Sequence, residues 1–155
     1  MDDKTSQKEK AIEFVRTQRT AVVSTVSPEG EPQSATITFV VDNDFAISFA
    51  TRKSSRKYQN IMHNARAAVT VGFDSDRPVT VQIQGTAEVL MEGQVETIME
   101  MLPWLVEQGG ETWPLLHARG MDFAIIKIKP TWIRWFTLDL GREEGHKENF
   151  YQILP

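Results

Sequence analysis

Apolar and polar positions alternate with two periods along this chain. Ala11, Ile12 and Val15 recur at helical spacing, and Ser6-Gln7-Lys8-Glu9 has the form of a capping box. A short helix is therefore expected behind a polar lead-in at residues 1–7. From Arg19 the period changes to two. Thr20-Ala21-Val22-Val23-Ser24-Thr25-Val26 is rich in β-branched residues and stops at the turn Ser27-Pro28-Glu29-Gly30-Glu31-Pro32. Residues 34–41 form a second expected strand, with Ile37, Phe39 and Val41 alternating against Thr36, Thr38 and Val40. After Asp42-Asn43-Asp44, the side chains of Phe45, Ile47 and Phe49 alternate with Ala46, Ser48 and Ala50 in a third.

Tyr58, Ile61, Met62 and Ala65 mark the apolar face of a helix entered from Thr51-Arg52-Lys53-Ser54-Ser55. Strands are expected at 67–73 and 79–91, joined by 74–78, and Gly85 inside the second marks a bulge or a close approach. Residues 93–108 carry Val95, Ile98, Met99, Leu102 and Val106 on one helical face, interrupted by Pro103. A short helical piece is expected at 113–118. Strands at 123–129 and 132–138 flank Pro130, and the tail from Gly141 is polar as far as Phe150. These elements predict seven strands with three or four helices and no repeated βαβα alternation. The expected class is mainly β with flanking helices (α+β), an antiparallel sheet closed or partly closed into a barrel so that few edges stay exposed. The length of 155 residues suits a single domain over 1–155 with a C-terminal tail at 140–155.

Composition narrows the function classes. Without cysteine, disulfides, thiolate metal sites, iron–sulfur clusters and cysteine nucleophiles are excluded. The first residues are too polar for a signal peptide, and no run approaches the ~18–20 apolar residues of a membrane span. The chain is expected to be cytoplasmic, without membrane partners. A net charge of −4 weighs against nucleic-acid binding.

One segment departs from that acidic balance. Arg52-Lys53-Ser54-Ser55-Arg56-Lys57 holds four of the 17 basic residues, where a strand ends and a helix begins. A helix N-terminus has unpaired N–H groups and partial positive charge, so cations there are locally unfavourable unless an anion is present. The same residues suit a phosphate site or a solvated basic turn whose serine is only an N-cap. His63, His117 and His146 have no ligand spacing, and no metal site is expected. No nucleophile elbow, P-loop or dinucleotide fingerprint occurs. Thr80, Gln82, Gln84 and Thr86 make a polar stripe opposite Val79, Val81 and Ile83. It can face solvent or hydrogen-bond the edge of a heteroaromatic ring. Trp132 and Trp135 lie on opposite strand faces. Trp104 and Trp113, with Met99 and Met101, suit helix-to-barrel packing, a dimer contact or a pocket wall.

The order of these segments resembles the pyridoxamine 5'-phosphate oxidase-like family, the FMN-binding split β-barrels. The matching pieces are Val22 through Pro32, Phe49 through Lys57, Asn64-Ala65-Arg66-Ala67-Ala68-Val69, and Val81-Gln82-Ile83-Gln84-Gly85-Thr86-Ala87, within roughly residues 8 to 138. The resemblance implies an FMN cofactor whose phosphate is held by Arg56 and Lys57, helped by Ser55 and Thr51. It implies that Thr36, Ile37, Thr38 and Phe39 run along the isoalloxazine ring with their backbone groups. It further implies a homodimer with the ring at the two-fold interface, Thr80 or Gln82 reaching in from the partner chain, and Trp135 near the flavin. Ala35 and Val40 stand where true pyridoxamine 5'-phosphate oxidases carry basic residues, and their substrate-phosphate residues and C-terminal arginine segment have no match here. That argues against pyridoxal phosphate synthesis. The implied function is a flavin oxidoreductase taking a small-molecule substrate or a nicotinamide electron donor. The alternatives are a non-catalytic, stress-associated flavin binder and a deazaflavin-dependent reductase. No catalytic residue is singled out, and no histidine sits in a haem-ligand pattern.

Overall fold

The computed structural model describes residues 3–72, 78–91, 122–139 and 147–155. The expected helices at 93–108 and 113–118, the linker after Gly72, and the group of Trp104, Trp113, Met99 and Met101 lie outside the described residues, as do His117 and His146.

The chain runs α1 (Asp3–Thr17), β1 (Thr20–Val26), β2 (Pro32–Thr38), β3 (Val40–Val41), β4 (Ile47–Arg52), α2 (Arg56–His63), β5 (Arg66–Val71), β6 (Val79–Val89), β7 (Phe123–Asp139) and β8 (Lys147–Leu154). The strands form one antiparallel sheet in the order β2-β1-β5-β6-β7-β4-β3, with β8 added to β7. The sheet curls into a half-barrel, the split β-barrel fold expected from the sequence. Its inner face carries Val23, Ile37, Phe39, Phe49, Val69, Val81, Ile83 and Ile133, and α1 adds Ala11, Ile12 and Val15 to the same core. Among the described residues no helix is long and apolar enough to cross a membrane.

Five expectations are corrected. The lead-in is itself helical: α1 begins at Asp3, so Ser6 lies inside the helix instead of capping it. Lys, Gln and Glu are strong helix formers, and a polar run of them extends a helix as readily as it precedes one.

The single strand expected at 34–41 is two. β2 pairs with β1 and ends at Thr38, Phe39 N donates to Arg19 O at 3.3 Å, and Val40–Val41 then pair with β4. One alternating run thus serves two partner strands at opposite ends of the sheet. The third expected strand starts two residues late, because Phe45 occupies a turn at φ 63. Asp42 Oδ1 closes that turn by accepting from Asp44 N at 3.0 Å and Ala46 N at 2.9 Å.

Pro130 does not separate two strands. β7 runs through it, because the proline falls opposite Gly85 where the β6–β7 register shifts by one residue and leaves Thr131 unpaired. A bulge is where a strand can tolerate the missing N–H. Finally, the polar tail contains β8, whose Ile153 is buried against the core while Phe150 lies on the outer face.

Gly85 is required at the bulge. A Cβ there would meet Lys129 O at 2.2 Å and Ile128 Cγ2 at 2.9 Å. Gly85→Ala is therefore expected to cost about 1–3 kcal/mol through overpacking, read as a lower urea midpoint. An unchanged midpoint would show that β7 yields freely at this point.

Candidate functional site

The basic segment divides into two pairs with different fates. Arg52 and Lys53 are engaged within the fold. The Arg52 guanidinium lies 5.9 Å from the Phe123 ring centroid, and Lys53 Nζ is 3.1 Å from Asp122 Oδ1. Lys53 N also donates to Asp122 O at 2.9 Å, fixing the end of β4 to the start of β7. Arg56 and Lys57, in the first turn of α2, have no side-chain partner among the described residues.

Local chemistry starts that helix at Ser55. Its backbone is extended (φ −76, ψ 149), and its Oγ accepts from Tyr58 N at 3.3 Å. Thr51 Oγ1 lies 2.8 Å from Ser55 Oγ, and either can donate. Thr51 is only 3% exposed. It therefore holds the cap from behind, and Ser55 keeps a hydroxyl hydrogen whenever Thr51 is the donor. The first turn of α2 contains no acid to offset its charge.

Arg56 and Lys57 overhang a cavity of about 270 Å³ whose other walls are Val23, Thr25, Gln33, Ser34 and Ala35 of the β1–β2 hairpin. No carboxylate and no histidine line it among the described residues. The walls are held by Asn60, a buried polar residue of α2. Its Nδ2 donates to Thr25 Oγ1 at 3.0 Å and to Gln33 Oε1 at 2.9 Å. Ser34 and Ser24 hydroxyls meet across the hairpin at 2.9 Å. The result is a pocket that presents cations, hydroxyls and amide hydrogens together, which suits an anion and its phosphate oxygens in particular.

The remaining residues named from the sequence are distributed unevenly around this cavity. Thr36, Ile37 and Thr38 continue β2 beyond Ala35 and Phe39 directly follows it, with the side chains of Ile37 and Phe39 buried in the core. β2 ends the sheet, so among the described strands one of its edges carries no ladder partner and its backbone groups stay available. Thr80 and Gln82 are not brought to the cavity within one chain. They lie on β6, with β1 and β5 between them and β2, where Gln82 is exposed on the outer face beside Thr70 and Arg134. Trp135 is 6% exposed beneath α1, its ring centroid 5.6 Å from that of Phe14 and its Nε1 donating to Gln7 Oε1 at 3.3 Å. It is not among the cavity's walls.

Gln33, Thr25 and Asn60 were not singled out by sequence. A weak signal existed: Gln33 shares a strand face with Ala35 and Ile37, and Asn60 directly precedes the apolar Ile61 of a short helix.

Comparisons with known proteins agree with this architecture. General stress protein 26 from Bacillus anthracis str. Sterne superposes with a TM-score of 0.66 at 26% identity, over 83% of this chain and 92% of that one. A pyridoxamine 5'-phosphate oxidase-related, FMN-binding protein from Nostoc punctiforme gives a TM-score of 0.58 at 12% identity, over 97% of both chains. The haem storage protein HutZ from Vibrio cholerae gives 0.63 at 17% identity, over 79% of this chain and 88% of its own. Among the curated proteins none matches the chain significantly. The sequence profile of pyridoxamine 5'-phosphate oxidase matches residues 7–136, most of the length, from within α1 to near the end of β7. The chain belongs to the pyridoxamine 5'-phosphate oxidase family.

Proposed function

We propose that this protein is a homodimeric FMN-binding oxidoreductase that holds the cofactor's phosphate at the N-terminus of α2. The observation that carries the reading is a cavity lined by no carboxylate among the described residues, where Arg56 and Lys57 stand without a described partner over a capped helix end. The residues present fit a phosphate ester. Arg56 offers a planar fork of donors, Lys57 a point charge, and Ser55 a hydroxyl. The unpartnered N–H groups of the first turn point the same way. Thr51 holds Ser55 in place.

The free edge of β2 at Thr36 to Thr38, with Phe39 directly after it, offers backbone groups to a flat polar ring. Thr80 and Gln82 serve a ring only across a dimer interface, from the partner's β6. FMN supplies hydride-transfer chemistry when bound, while the protein orients the ring and tunes it by hydrogen bonds.

Haem is bound by at least one protein of this fold. Here no histidine lines the cavity among the described residues, and His63 is exposed at the other end of α2 from Arg56. The described site therefore favours flavin. Ala35 and Val40 place no cation beside the ring strand, so the substrate is not expected to be pyridoxamine 5'-phosphate.

Replacing Arg56 and Lys57 together by Ala is expected to weaken FMN binding by about ten- to a hundred-fold per residue, the value of a charge-assisted hydrogen bond. Riboflavin, which lacks the phosphate, should bind the variant and the parent alike. Fluorescence quenching reads both, and unaltered FMN affinity would remove the phosphate site.

The apo protein separates cap from cation. Ser55→Ala should lower stability by about 1 kcal/mol. Arg56→Ala should leave the melting temperature level or slightly raised, because it relieves like charge at a helix N-terminus. A marked fall for Arg56→Ala would mean that the side chain is structural.

Light scattering at micromolar concentration should give a dimer, with an interface on the order of 2,000 Å² or more if the association is obligate. A monomeric mass would count against placing Thr80 and Gln82 at the flavin. Anaerobic titration of the FMN-loaded protein with NADH and with NADPH should bleach the flavin absorbance with one of them. A flavin that neither reduces would favour the non-catalytic alternative.

A further inference from the structure

Asn60 is 4% exposed, and its Nδ2 donates both to Thr25 Oγ1 and to Gln33 Oε1. The second bond has a consequence for Gln33. A primary amide carries its oxygen and its NH2 on opposite sides of one carbon, so turning the oxygen toward Asn60 turns the NH2 away from it. Gln33 lines the cavity that Arg56 and Lys57 overhang, and no described group accepts from its Nε2. With the polarity reversed, the Gln33 carbonyl would face the cavity and repel an anion there. The sense in which Asn60 holds Gln33 leaves the NH2 for another acceptor, as an anion in the cavity would require.

We propose that Gln33 is a specificity-determining residue whose Nε2 donates to the bound phosphate, and that Asn60 is the positioning residue that keeps this donor, and not the carbonyl, turned into the cavity. The proposal rests on reading the cavity as the FMN phosphate site, and it adds two residues to that site. Gln33 contributes no charge. It selects for an acceptor oxygen at one place on the hairpin wall, where Arg56 and Lys57 select only for negative charge. Thr25 Oγ1 completes the relay by taking the other Asn60 hydrogen.

The test measures FMN and riboflavin affinities by fluorescence quenching on the full chain. Gln33→Leu should weaken FMN by about tenfold and leave riboflavin unchanged. Asn60→Asp is the informative partner. An ionised carboxylate only accepts, so it draws hydrogens from Thr25 and from Gln33 and turns the Gln33 carbonyl into the cavity. Asn60→Asp should therefore weaken FMN in both backgrounds through its added charge, but by about tenfold more in the parent than in the Gln33→Leu background. Such non-additivity is what coupling through Gln33 requires. A loss from Asn60→Asp of equal size in both backgrounds would show a charge acting through space and would overturn the positioning role. Equal losses for FMN and riboflavin in Gln33→Leu would make Gln33 merely structural. Undiminished FMN affinity in Gln33→Leu, with Arg56→Ala still impaired, would overturn the inference while leaving the phosphate site standing. If Arg56→Ala also binds FMN fully, the site reading fails with it. Apo melting curves accompany each variant, so a folding defect is seen separately. Gln33 is only half-buried, and its replacement by Leu keeps the strand.

Discussion

The tie between Asn60 and the β1–β2 hairpin is the constraint on which the site depends. α2 has eight residues, too few for a helix to persist on its own in water. It is held at one end by the Ser55 cap and at the other by the Asn64 N–H bond to Asn60 O at 2.7 Å. The buried Ile61 and the side-chain amide of Asn60 hold it against the sheet. Burying an amide is tolerable only when its hydrogens are used, since an orphaned one costs about 1–3 kcal/mol. Asn60 therefore accepts one placement of α2 over the hairpin, and that placement puts Arg56 and Lys57 opposite Gln33, Ser34 and Ala35.

Within the basic segment, one pair of cations is left without a side-chain partner among the described residues. Arg52 and Lys53 are engaged by Phe123 at the start of β7 and by Asp122 just before it, and their role is to join two strands. Arg56 and Lys57 stand three and four residues beyond Lys53 with no acid in the first helical turn and no described partner. A fold selected for stability alone would place Asp or Glu there. Basic residues at a positive helix end cost stability, and an anion bound there would offset that cost.

The sheet supplies the rest by serving unequal demands with single strands. β7 pairs with β4, β6 and β8 along its length, and the bulge at Thr131 opposite Gln84 and Gly85 lets it do so past a proline. α1 covers Trp135 and so closes one side of the core. β2 remains at the end of the sheet with an edge free of described partners, and its Gln33, Ser34 and Ala35 line the cavity. The same curled sheet that makes the core thus leaves, among the described residues, one strand edge without a ladder partner and one exposed polar stripe at Gln82, Gln84 and Thr86.

Much of this was written into short stretches of sequence. The alternation in 20–26 and 79–89, the turn at Ser27 to Pro32, the bulge at Gly85, the helix after Ser55 and the unusual basic run are effects between residues a few positions apart. The family resemblance rested on the same stretches. Other features required the folded chain. Whether 34–41 is one strand or two depends on which partners lie on either side of Phe39. Whether Pro130 ends a strand depends on the glycine it meets. The polar tail becomes a strand because β7 offers it an edge. Arg52 and Lys53 cannot be told from Arg56 and Lys57 by residue type; they differ because Asp122 and Phe123 arrive beside the first pair only. Gln33 and Asn60 show the limit most clearly. Their hydrogen bond spans 27 positions, and that of Asn60 with Thr25 spans 35. Periodicity and turn chemistry report on neighbours along the chain, whereas the direction in which a buried amide turns its oxygen is decided by groups that only tertiary packing brings within reach.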